Sequence, residues 1–345
     1  MILWPRFQKG DTIAVTAPSS GVPEELHHLL TDTKNRQEQR GYPVTIYPTA
    51  WKQEKSVSAP AEERAAEFNR IMQDESPKAI IPPWGGERLL EMLPLLDYSA
   101  PIPKWILGYS DTSILLFAWT IKTGIATAHG TNIVDIRGAE MDPVTTAWEN
   151  VLAWEGGKTI TQSSSELYQP EWKFDEVTDV VFHLTEPTEW KTVSGKPETV
   201  EGRLLGGCID VITHLVGTPY GKVREFQRNK LHDEPILWYF ENCDMNPNEM
   251  KRCLKQMEYA GWFENSAGFL FGRSAAVSEA DGYTAVDVYQ DLAADIRLPV
   301  IYDIDCGHVP PQLTFVNGAR AAAACSNGKG RLTMHVPEEA DDAEA

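Results

Sequence analysis

The stretch KWILGYSDTSILLF, residues 104–117, changes its periodicity in the middle. WILG is a short continuous apolar run, as expected of a buried strand. SILLF opens an apolar pattern of helical type. Ser110 falls at the seam, between Tyr109 and Asp111. Two readings fit. A Ser followed by Asp and Thr is ordinary chemistry for a helix N-terminus, where a hydroxyl caps free backbone N–H groups. A sharp strand-to-helix turn is also how a nucleophile elbow lifts a serine hydroxyl clear of a sheet, close to the N–H groups of the helix start. The usual elbow is G-x-S-x-G. Here the run is GYSDT, without the second glycine, and the local residues leave both readings open.

Working outward, the same alternation continues on both sides. DTIAVTAP, PVTIYPT, KAIIPP and ATAHGTN read as strands. PEELHHLLTDTKNRQEQRG, SAPAEERAAEFNRIMQDE, GGERLLEMLPLL and DPVTTAWENVLAWEGG read as helices or turns into helices. Strands alternating with helices imply a parallel, doubly wound α/β sheet with helices on both faces. This domain spans residues 1–155. From 156 to 200 helical periodicity fades and Thr, Ser, Pro and Trp rise, as in a linker with an insertion. Residues 201–336 form a second, mixed, β-rich domain. It contains the strands EPILWYFENCD, SAGFLFGRS and LPVIYDIDCGH, with paired strands at its end. The tail at 337–345, PEEADDAEA, is expected to be disordered.

Composition narrows the function. At 345 residues the chain is long for one core. A net charge of −19 argues against nucleic acid or an anionic membrane surface as the main partner. No apolar run is long enough for a membrane helix, and the N-terminus has no signal-peptide pattern, so a cytoplasmic location is expected. The five cysteines are widely spaced with no C-x-x-C, which fits free thiols. Cys306 and His308 stand two apart, but no second pair at zinc spacing accompanies them, so a metal site is not expected.

Several residues could carry chemistry at the carboxyl ends of strands, where open α/β sheets place their ligands. In PPWGGERLL, Gly85 and Gly86 allow close backbone approach and could offer N–H groups to an oxyanion. Glu241 follows five apolar residues in ILWYFENCD. It reads either as a half-desolvated functional carboxylate or as a salt-bridged strand end. His308, in YDIDCGHVPPQ, precedes a stiffened Val-Pro-Pro loop that suits an aimed base. His129, in TAHGTN, is the rival histidine, with a satisfied buried role as its alternative. Ser110, Glu241 and His308 thus each end an apolar strand, in the order Ser, Glu, His, and a triad is defined by geometry rather than by order.

The series GYSDTS, WGGE, EGRLLGG, WYFEN, FLFGRS and DIDCGH, with KGDTIAVTAPSS at the start, resembles the LD-carboxypeptidase family of serine peptidases, which includes the microcin C self-immunity proteins. The resemblance runs from about residue 5 to about residue 335. It implies a Ser-Glu-His hydrolase needing no metal or cofactor, with Ser110 as nucleophile, Glu241 as acid and His308 as base, and with an oxyanion hole from the N–H groups of Asp111 and the Gly85–Gly86 turn. It also implies an N-terminal domain like that of class I glutamine amidotransferases, a β-rich C-terminal domain and a homodimer. The substrate would be a small peptide or a peptidyl-nucleotide. On the microcin branch, Trp190 resembles a tryptophan that stacks on the nucleobase; packing is its other reading. Glu87 and Arg88, beside the glycine turn, are further candidates for binding substrate. That branch tends to have Asn at the position of Cys208 and Lys at that of Met245, which weakens phosphate recognition here. The alternatives are release of D-alanine from murein tetrapeptide, cleavage of another acyl bond, and non-catalytic binding of a small molecule.

Overall fold

The computed structural model describes residues 2–99, 101–170, 180–276 and 279–338. From residue 339 on, the expected acidic tail lies outside them.

The first five strands are β1 (Thr12–Val15), β2 (Val44–Ile46), β3 (Pro77–Ile80), β4 (Trp105–Gly108) and β5 (Ala128–His129). They are parallel, in the order β5-β4-β3-β1-β2. Helices α1 (His27–Arg40), α2 (Ala61–Gln73) and α3 (Thr112–Thr123) cross between them. All four residues of β4 are buried, as in a parallel strand covered on both faces. In α3 every residue from Thr112 to Ile121 is buried, which makes it a core helix rather than an amphipathic one. The helix expected after β3 is a 3₁₀ segment, Leu89–Leu95. Pro94 inside it has no N–H to extend an α-helical ladder. The set closes with two short helices, α4 (Pro143–Thr146) and α5 (Trp148–Leu152).

The remaining strands are β6 (Thr159–Ser163), β7 (Leu167–Tyr168), β8 (Glu186–Pro187), β9 (Lys191–Thr192), β10 (Glu198–Cys208), β11 (Ile236–Glu241), β12 (Ser266–Gly272), β13 (Val300–Ile304), β14 (Phe315–Val316), β15 (Arg320–Ser326) and β16 (Lys329–His335). Eight of them form one mixed sheet in the order β6-β16-β15-β10-β11-β12-β13-β9. Its centre, β10 to β13, is parallel. The other pairings are antiparallel. Helices α6 (Ile209–Ile212), α7 (Val223–Lys230), α8 (Pro247–Tyr259) and α9 (Ala285–Ile296) lie along the crossovers. The segment 156–200, expected as linker and insertion, supplies β6 and β9, the two edge strands of this sheet, and the β7–β8 ribbon.

The two sheets are tied to each other. β14 follows β13 in the chain, yet it pairs antiparallel with β5 at the edge of the first sheet. Beside it, the Asn317 side chain accepts from the N–H of Gly206 in β10 (3.2 Å) and from the Tyr239 hydroxyl in β11 (2.8 Å), and donates to Thr127 Oγ1 (3.2 Å). Phe117 of α3 stacks on Trp262, with ring centroids 5.1 Å apart. The apolar core therefore runs on from one sheet to the other, and the carboxyl ends of β4 and β11 meet at their junction.

Candidate active site

Ser110 occupies the turn between β4 and α3 with φ 62°, a left-handed conformation that costs a non-glycine residue roughly 1–3 kcal/mol and persists only where the surroundings enforce it. Asp111, not Ser110, stands at the N-cap position of α3. The Ser110 carbonyl accepts the Ser113 N–H at 2.8 Å, while its Oγ makes no hydrogen bond among the described residues. The hydroxyl is thus held out of the backbone network by a turn that the backbone itself closes.

Gly85 and Gly86 pack on this turn. A Cβ on Gly85 would stand 2.6 Å from Ser110 Oγ and 2.9 Å from the Asp111 nitrogen. Gly86 has φ 141°, and a Cβ there would collide with Ser19 and Ser20. The missing side chain at Gly85 keeps the space beside the hydroxyl and the Asp111 N–H clear, and that at Gly86 lets the loop close on Ser19 and Ser20. Ser19 Oγ donates to Asp111 Oδ2 at 2.5 Å, and the Leu89 N–H donates to the same oxygen at 2.9 Å. The buried Asp111 carboxyl thereby joins the glycine loop to the start of α3. Burial pushes it up to about 6, against the lowering effect of those two bonds.

Glu241 ends β11 opposite Cys208, the last residue of β10. It is buried, and its Oε2 lies 2.8 Å from His308 Nδ1. A Cβ at Gly307 (φ 90°) would collide with the Glu241 carboxyl, so glycine is what lets the loop bring His308 onto it. Burial disfavours the charged forms of both groups. Their mutual attraction outweighs it, holding Glu241 below the usual carboxylate range and His308 well above the usual imidazole range; Cys243 beside His308 adds to the latter.

Two cavities meet at Ser110. One, of about 620 Å³, is lined by apolar Leu26, Leu29, Val134 and Trp84, by Gly85, Gly86 and Tyr109, and by His308. The other, of about 1060 Å³, lies towards α6 and α8 and includes Asp111, Cys208, Asp210, Cys243, Asp244 and Met245. Gly86, Glu87 and Ser110 border both. No hydrogen bond joins Ser110 to His308, which share the first cavity.

The other expected residues are placed differently. Glu87 is exposed between the cavities. Arg88 is exposed and pairs with Glu91 at 3.1 Å, away from both. Trp190 is 1% exposed and lines neither cavity. Its Nε1 donates to Asp305 Oδ2 at 2.8 Å, and its ring fills the space over Gly330. A ring with no free face has no surface for a nucleobase, so the packing reading of Trp190 is the one this geometry supports. Asp305 also accepts from Ser165 and Arg273, and Arg273 bonds the Val309 and Pro311 carbonyls. Trp190 therefore braces the loop that carries His308. The aromatic side chains that do line the first cavity are Trp84, Tyr109 and Phe182, and Trp84 Nε1 donates to the Gly21 carbonyl at 3.0 Å. Tyr109, Asn132, Asp135 and Gln169 also line this cavity; the sequence assigned them no role, because no pattern in the neighbouring residues marks which polar side chains a cavity will collect.

Among the described residues, Cys208, Glu241 and His308 bring ligand atoms within 4.8 Å of one another. The 2.8 Å between Nδ1 and Oε2 is the spacing of a shared proton. Tetrahedral zinc would hold such atoms about 3.4 Å apart.

The comparisons with known proteins accord with this architecture. Family models described as the LD-carboxypeptidase N-terminal domain and the LD-carboxypeptidase C-terminal domain match residues 13–130 and 201–322. The chain is 26% identical over 341 residues to a Bacillus subtilis (strain 168) protein named "Probable murein peptide carboxypeptidase", covering 97% of this chain and 95% of that one. It is 25% identical over 340 residues to the microcin C7 self-immunity protein MccF of Escherichia coli, covering 94% and 93%. The fold superposes on that of MccF in complex with glutamyl sulfamoyl guanosine with a TM-score of 0.82 at 21% identity, over 98% of this chain and 100% of the other. For muramoyltetrapeptide carboxypeptidase from Oxalobacter formigenes the TM-score is 0.71 at 20% identity, over 95% and 99%. With both halves matched in order, the chain belongs to the LD-carboxypeptidase family.

Proposed function

We propose that this protein is a serine hydrolase that cleaves an amide bond in a small, peptide-derived molecule. The observation that carries the reading is the Glu241–His308 pair, bonded at 2.8 Å, on the cavity into which the φ 62° turn presents Ser110. In this reading His308 takes the Ser110 proton as the hydroxyl attacks the carbonyl, then returns it to the leaving amine. Glu241 fixes the imidazole tautomer and supports its charged form. The N–H groups of Asp111 and the Gly85–Gly86 turn receive the oxyanion. The Ser110–His308 contact forms when substrate fills the gap, since such bonds are often long in unliganded enzymes. The acyl part and the leaving group occupy the two cavities on either side of Ser110.

For the substrate we favour an aminoacyl- or peptidyl-nucleotide, the class represented by the sulfamoyl nucleosides bound to MccF. A second reading, release of D-alanine from a murein tetrapeptide, is favoured by one local feature. The second cavity presents Cys208 and Met245, with Asp210 and Asp244 beside them, a poor setting for a phosphate. The test is turnover of aspartyl sulfamoyl adenosine and of murein tetrapeptide by the wild type and by Ser110→Ala. The variant should lose at least about 10³-fold in kcat on whichever substrate the wild type cleaves. Undiminished turnover would overturn the assignment. A homodimer in solution, measurable by light scattering, belongs to the same proposal.

A further inference from the structure

His129 ends β5, next to β4, and is fully buried. It lines neither cavity. Its Nε2 lies 4.0 Å from Glu241 Oε1, and neither atom has a hydrogen-bond partner among the described residues. Two buried polar atoms that lack partners and face each other are unusual, because each such atom costs roughly 1–3 kcal/mol. Glu241 is thus flanked by two histidines, His308 on Oε2 at 2.8 Å and His129 on the Oε1 side. On the other edge of its ring, His129 Nδ1 lies 4.0 Å from Cys306 Sγ. The ring is held between Tyr109 and Tyr239, with centroids 6.4 and 5.5 Å away.

We propose that His129 is a positioning residue for the hydrolytic reaction: as the neutral tautomer with its proton on Nε2, it holds the outer oxygen of Glu241 and so fixes the carboxylate that aims His308. The inference rests on the triad reading above. The tautomer follows from the surroundings. A carboxylate oxygen facing Nε2 favours a proton there, and a thiol beside Nδ1 can donate its S–H to the bare nitrogen. Burial keeps the ring neutral, pulling its pKa down to about 4. A shift of about 1 Å, within the reach of a small ring rotation, brings Nε2–H to hydrogen-bonding distance of Oε1. A carboxylate tied at one oxygen alone can swing about that bond; tied at both it cannot, and the orientation of His308 is inherited from it.

Two measurements test this. In the wild-type protein, ¹⁵N NMR of the imidazoles should show His129 protonated on Nε2 and bare on Nδ1. The opposite tautomer would overturn the proposal whatever the activity. In kinetics, His129→Met, which fills the space without a donor, should lower kcat about 10–100-fold with KM within about threefold of wild type. His129→Gln, whose amide N–H can reach the same oxygen, should restore kcat to within about fivefold. The downfield proton shared by His308 and Glu241 should weaken or shift in the Met variant and return in the Gln variant. Equal impairment of both variants, or a folded Met variant with wild-type kcat, would sink the idea. If instead Ser110→Ala retains turnover, the triad itself is wrong, a result distinct from any of these.

Discussion

At Ser110 one backbone conformation would serve both structure and the proposed chemistry. Its positive φ turns the chain from β4 into α3, and the same turn frees the hydroxyl and the Asp111 N–H. Gly85 keeps that space open, so Gly85→Ala should reduce kcat by about 10²-fold or more, with the added methyl beside Ser110 Oγ rather than unfolding as the cause. Single-turnover kinetics on a variant with native circular dichroism checks this. His308 has its own signature in pH. Burial works against its charged form, but Glu241 and Cys243 together hold its pKa well above the ordinary 6.5; Asp135, Tyr109 and the neutral His129 are its other neighbours. In its proposed role as general base, His308 must be neutral. Hence kcat/KM should fall as pH drops through the His308 pKa, with the acid limb lying above pH 6.5. Cys243→Ala removes a partner of the charged imidazole, so the limb should move to lower pH. A pH–rate profile that stays put would contradict this.

Among the elements, the edge of the second sheet decides how firmly the His308 loop is held. Trp190, just before β9, reaches across to Asp305 at the end of β13, where Ser165 and Arg273 also converge. Trp190→Phe keeps an aromatic ring but removes the bond to a buried carboxylate and part of the indole's packing. It should cost about 1–3 kcal/mol in stability, read by calorimetry, with little change in KM. A nucleobase-stacking role predicts the reverse, a raised KM and an unchanged Tm. Much at this scale was legible beforehand. β4, α3, β11 and β12 followed from apolar runs and their breaks. The edge strands β6 and β9 did not, because strands of five and two residues carry little pattern and owe their pairing to a neighbour distant in sequence.

Over the whole molecule, the domains drawn from sequence are interlocked rather than strung together. β14 completes the first sheet from within the second half of the chain, and Asn317 bonds both sheets at once. Unfolding should therefore be one cooperative transition by calorimetry, with van't Hoff and calorimetric enthalpies in agreement. Asn317→Ala leaves Gly206 N–H and the Tyr239 hydroxyl without their partner. It should cost roughly 2–4 kcal/mol and broaden or split that transition. Two separate transitions in the wild type would contradict the interlock.

The amino-acid sequence determined by itself what depends on local periodicity and on residue type. These are the parallel α/β first half, the strand ends that carry Ser110, Glu241 and His308, and the glycines that allow backbone to pack against side chains. Only the tertiary structure decided which of these ends meet. The 2.8 Å approach of His308 to Glu241 spans 67 residues and depends on Gly307 having no side chain. The burial of Trp190 depends on Asp305, 115 residues away. His129 came within 4.0 Å of Glu241 only when the end of β5, in the first sheet, met the end of β11, in the second. Contacts of that range are fixed by packing and by the satisfaction of buried polar groups, neither of which leaves a pattern in neighbouring residues.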